Sequence, residues 1–78
     1  MEAIKREIEM IESKMDLENK MLERAVEDFR ESASRYDAYS IETCIPVKVR
    51  EIAEHRARLE KYYEQKIMLE YLLKQQEA

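Results

Sequence analysis

Apolar residues in the first half of the chain fall at Ile4, Ile8, Ile11, Met15, Leu22, Ala25, Phe29 and Tyr36. Their steps lie near three and four, the period of a helix seam. The spacing predicts one helix over about 2–38. Glu18 and Ser32 occupy two positions where the stripe calls for an apolar residue. Leu17, Met21, Val26 and Ala33 widen the stripe on either side. Such a face is broader than a two-stranded seam and suits two neighbouring helices. In the second half, Val49, Ile52, Ala53, Leu59, Tyr63, Ile67, Leu72 and Leu73 predict a helix over about 47–75. Within it, the apolar residues of segment 67–73 cover most of the helix circumference. A single partner helix hides only one side of that segment.

The interruption spans about 39–46. Ser40 or Thr43 is placed to cap the second helix, because a hydroxyl accepts a first-turn backbone N–H. Pro46 then falls within or near the first turn, where its missing N–H costs least. Ile41, Cys44 and Ile45 are apolar for a turn and predict a connection packed against the helix ends. A short connection makes the helices antiparallel neighbours. A pivot near Glu42 sets Phe29 beside His55, Leu22 beside Tyr62 and Met15 beside Leu69. The predicted fold is therefore all-α: one domain over 1–78, an antiparallel two-helix hairpin that dimerises into a four-helix bundle. The competing geometry is a single long coiled-coil rod, kinked at Pro46.

Composition narrows this further. The 78 residues include no glycine and one proline. Glycine serves tight turns, phosphate loops and most helix C-caps. A chain without it is suited to long, stiff helices. Charged residues make up 41% and the apolar class 45%, too apolar for a plainly disordered chain. Net charge is -4, and the imbalance sits in residues 1–39, which hold 7 basic and 11 acidic side chains. Residues 40–78 hold 7 of each. Neither half carries the basic footprint of a nucleic-acid or anionic-membrane binder. One cysteine leaves no internal disulfide, and no signal-like apolar run follows the first methionine. These point to a reducing, cytoplasmic setting.

Candidate chemistry is sparse. His55 is the only histidine, with Glu51 four residues before it. That pair alone makes no metal set, and His55 reads as an exposed or rim residue. Cys44 reads as an apolar filler of the turn, with no histidine close in sequence to activate it. Glu23, Glu27 and Glu31 line one solvated face. Glu18 stands out: at a seam position it must be offset from its symmetry mate, paired with a base such as Lys66, or placed at the rim. There it would set register or orientation. No nucleophile–base set, phosphate loop or ligand spacing occurs, so no enzyme activity, metal or cofactor is expected.

Two lone helices of this length bury one narrow seam, which is thin return for the residues ordered. Self-association supplies the missing surface. The candidate interface residues are Ile8, Ile11, Met15, Leu22, Phe29, Tyr62, Tyr63, Ile67, Met68, Leu69, Tyr71, Leu72 and Leu73. Tyr62 and Tyr63 lie about 100° apart on a helix, so one packs inside the hairpin and the other faces outward. The expected function is protein–protein interaction by a helical homodimer: an adaptor, assembly factor or regulator. A hetero-complex that supplies the missing helices is the other way to cover the surplus face. A bundle face that binds nucleic acid is the competing functional class, carried by Lys48, Arg50, Arg58 and Lys61 among interspersed acids. A structural subunit of a larger assembly is the third.

Overall fold

The computed structural model describes residues 2–34 and 40–77, with Ser40 and Ile41 described in backbone only. Helix α1 spans Glu2–Ala33 and helix α2 spans Ile45–Glu77, with one π-helical turn, Ser40–Cys44, leading into α2. No strand occurs among the described residues. The molecule measures 60 × 14 × 13 Å. A single rod of this chain would be about 115 Å long at 1.5 Å per residue, so the rod is excluded. The two helices lie side by side, as the bond between Glu18 and His55 requires. The chain is an all-α helical hairpin.

The first helix begins and ends with charge that suits its dipole, Glu2 in the first turn and Arg30 in the last. At its C-terminus the Ser34 N–H donates to the Arg30 carbonyl, and the Ser34 hydroxyl donates to the Glu31 carbonyl at 2.6 Å. Residues 35–39 lie outside the described residues, and with them the expected end of the helix at 38 and both Tyr36 and Tyr39. The expected start of the second helix is corrected: Ile45 and Pro46 belong to α2, and the π-helical turn winds directly into it. Pro46 is the second residue of α2, but the winding is continuous from Ser40, so it lies inside the helix and not at its first turn. Its ring would collide with the carbonyl four residues earlier, that of Glu42. Winding Ser40–Cys44 more widely, with i→i+5 bonds, is one way to clear that contact.

The covered positions show how the helices mesh. In α1 they include Ile4, Ile8, Ile11, Met15, Glu18, Leu22, Ala25, Phe29 and Ser32. In α2 they include Ile45, Lys48, Ile52, His55, Leu59, Tyr62, Lys66, Leu69 and Leu73. Both sets step by alternating threes and fours, the heptad repeat of a two-stranded coiled coil. The α1 seam follows the expected stripe, including the two polar positions. The α2 seam does not. Val49, Ala53, Tyr63, Ile67 and Leu72 were expected within it and are exposed; Lys48, His55, Tyr62 and Lys66 take those places. A strict heptad requires this, since Ile52, Leu59 and Leu73 fix the line and the intervening positions follow. Lysine tolerates such a place by laying its stem along the seam and its amine toward water.

The register also differs from the expectation. Glu18, eleven residues before Phe29, is the α1 residue that meets His55. Phe29 instead shares a groove with Val49, Ile52 and Ala53 nearer the start of α2. In this register the covered Glu18 finds both His55 and Arg58 as partners.

Candidate functional site

The covered core is small. Ile11 and Ala25 are the buried apolar residues, and Glu18 is the buried charged one, among the described residues. A buried carboxylate in a two-helix seam needs partners, or it costs several kcal/mol. Its partners come from α2. His55 Nδ1 lies 2.5 Å from Glu18 Oε1, and Arg58 Nε donates to the same oxygen at 2.9 Å. With its proton on Nδ1, the imidazole donates to the carboxylate. Arg58 Nη2 lies 2.9 Å from that same Nδ1, a close contact and not a second bond once the proton is committed to Glu18. The Glu18 and His55 side chains are 9% and 14% exposed, whereas Arg58 is 46% exposed.

The Glu18 carboxyl is held below its ordinary pKa, chiefly by the His55 hydrogen bond. Burial pushes the other way, and Arg58 adds its own hydrogen bond and charge in support of the ionised form. The expectation of Lys66 as the base is corrected. Lys66 sits farther along α2, 3.8 Å from Glu70. His55 is likewise corrected from an exposed or rim residue to a member of the seam. The Arg58 guanidinium turns to Glu18, whose covered carboxylate is a strong, charge-assisted acceptor.

Cys44 is a free, half-buried thiol on the π-helical turn. Glu23, Glu27 and Glu31 are exposed, with Glu27 3.4 Å from Arg30. No group of three or more His, Cys, Asp or Glu side chains is placed to hold a metal among the described residues. Two grooves run along the surface and are open to solvent. One lies along α1 from Lys20 to Arg30, and the other lies between Phe29 and the start of α2.

The expected interface residues divide into two sets. Ile8, Ile11, Met15, Leu22, Phe29, Tyr62, Leu69 and Leu73 are covered and form the seam within one chain. Tyr63, Ile67, Met68, Tyr71 and Leu72 are exposed, on the sides of α2 turned from α1. Of the tyrosine pair, Tyr62 packs in the hairpin and Tyr63 faces outward. Met68 and Tyr71 are 67% and 62% exposed, high values for apolar side chains in the middle of a helix. A second exposed strip, Met10, Leu17 and Met21, runs along α1.

Arg58 joins this site from α2; its place three residues after His55 and next to the seam residue Leu59 puts it beside the histidine on one helical face. Among the described residues no helix is long and apolar enough to cross a membrane. The fold and these faces define a class, the antiparallel coiled-coil hairpin. Beyond that class, comparison with known proteins finds no match among family models, curated proteins or solved structures.

Proposed function

We propose that this chain is a protein–protein interaction module, an adaptor, assembly factor or regulator of the cytoplasm, that works as a self-associated helical hairpin. One observation carries the reading. Ten large apolar side chains are exposed on a molecule whose buried apolar core, among the described residues, is Ile11 and Ala25. Scattered exposed apolar residues are ordinary on a soluble protein. Here five of the ten crowd into residues 63–72 of one helix, on the side its partner helix leaves open. A contiguous patch of that kind marks an interaction surface.

The size of the accessible surface supports the same reading. The chain exposes 6313 Å². A compact monomer of this mass exposes about 5,000 Å². The surplus exceeds the roughly 800 Å² that each partner buries in an interface of standard size. Basic residues near the start of α2, Lys48 and Arg50, alternate with Glu51 and Glu54, which favours protein over nucleic acid as the partner. Sedimentation equilibrium over the micromolar range tests the proposal. It predicts a species of twice the 9.5 kDa chain mass. A helical monomer throughout that range overturns it. Growth without limit at rising concentration would instead indicate the subunit of an open assembly.

A further inference from the structure

We propose that a second copy of this chain docks antiparallel on the outer face of α2, with the twofold axis passing beside Ile67. This rests on the self-association proposed above and assigns its surface. The argument begins with spacing. Glu60, Ile67 and Lys74 are seven residues apart, so they form one line down the helix to within about 40°. Tyr63 and Tyr71 stand four residues before and after Ile67, about 40° to either side of that line. On this face the Tyr63, Ile67 and Tyr71 trio is therefore the same read in either direction from Ile67. On that line the charge reverses sign, with Glu60 seven residues before Ile67 and Lys74 seven residues after, while the acids Glu64 and Glu70 lie about 60° to either side of it.

That arrangement is what a twofold interface requires, since one patch must complement itself. Two such helices, antiparallel and centred on Ile67, place Ile67 against Ile67. Tyr63 of each copy stands beside Tyr71 of the other. Glu60 of each copy falls at the level of Lys74 of the other, giving two opposite-charge contacts at the ends of the patch. Both residues are exposed. Glu70, the nearby acid on α2 four residues before Lys74, lies 3.8 Å from Lys66 on the flank toward the seam. The aromatic rings suit an interface because their bodies pack while their hydroxyls reach water at the edge.

Ile67 lies well round the helix from Leu69 and Leu73, so the same residues do not serve both contacts. In the dimer the two α2 helices are central and the two α1 helices flank them. The order across the assembly is α1, α2, α2, α1. The intramolecular seam with its Glu18 cluster is left undisturbed.

Charge exchange tests this arrangement. Glu60→Lys alone and Lys74→Glu alone each set like charges opposite at both ends of the patch. Each should weaken the dimer by about tenfold or more, on the scale of two exposed ion pairs lost and reversed. The double variant E60K with K74E should restore the affinity to near that of the starting protein. Ile67→Glu should yield a monomer whose far-ultraviolet circular dichroism keeps the full helical signal. Leu17→Glu, on the other exposed strip, should dimerise normally. A dimer insensitive to Ile67→Glu and to both charge reversals, but broken by Leu17→Glu, overturns this surface and leaves self-association standing. Should Ile67→Glu fail to fold, the charge reversals and their mutual rescue decide the matter. A starting protein that is monomeric throughout the micromolar range overturns both proposals.

Discussion

Replacing Glu18 by alanine removes the carboxylate that both His55 and Arg58 address from α2. The size of the effect follows from the exposure of the three groups. Breaking a fully buried pair costs about 3–5 kcal/mol, and an exposed pair is worth about 0–1 kcal/mol. Glu18 and His55 are covered, but Arg58 is 46% exposed and water replaces its lost acceptor. The cost should therefore lie near 1–2 kcal/mol, the loss of two hydrogen bonds to a covered carboxylate. Urea unfolding at one fixed protein concentration, followed by circular dichroism, measures it. With a slope of about 1 kcal/mol per molar urea, the midpoint falls by about 1–2 M. A double-mutant cycle of Glu18→Ala with His55→Ala should show strong coupling, because either change alone removes the same bond. An alanine variant as stable as the starting protein, or additive losses in the cycle, would refute the assigned role of this cluster.

Acid should weaken the hairpin through the same carboxyl. Glu18 is held below its ordinary pKa in the folded state. Its contribution is thus complete above the unfolded value, about 4.3 for glutamate, and is lost as pH falls through the folded value. The gap in urea midpoint between the starting protein and Glu18→Gln should accordingly narrow below about pH 4. Ile11→Ala, at a position only 6% exposed, should cost about 2–4 kcal/mol by calorimetry or urea unfolding. Tyr71→Ala, at an exposed position, should leave the helical content of an isolated hairpin unchanged by circular dichroism while weakening self-association in sedimentation. Glu18→Leu combined with His55→Leu should equal or exceed the starting stability, since well-packed apolar groups commonly match a buried polar pair. Crosslinks between α1 and α2 in that variant should spread over more than one register.

The fold class was legible because the α1 stripe is continuous. Ile4 to Phe29 keep the three-four spacing, and Glu18 and Ser32 stand in line as polar members of it. The α2 helix was harder for a physical reason. It carries two apolar stripes, one for α1 and one turned outward, and residue type alone does not rank them. Val49, Tyr63, Ile67 and Leu72 are more apolar than Lys48, His55 and Lys66, yet the latter three occupy the seam. The heptad through Ile52, Leu59 and Leu73 would have separated the stripes by geometry. Register was out of reach, because it depends on a contact between residues 37 apart in sequence. The position of Glu18 was readable, but the identity of its partners required the two helices to be set side by side. The surplus at residues 67–73 was readable in full. The proposed dimer covers Ile67 and Tyr71 of that surplus.

Thermal unfolding at several protein concentrations tests the central claim most directly, because a folded state completed by a second copy gains stability by mass action. Circular dichroism melts over a hundredfold concentration range should show the Tm of the starting protein rising steadily. The Tm of Ile67→Glu should stay constant and lower. A Tm for the starting protein that does not move over that range would show a hairpin that needs no second copy, and would contradict the account.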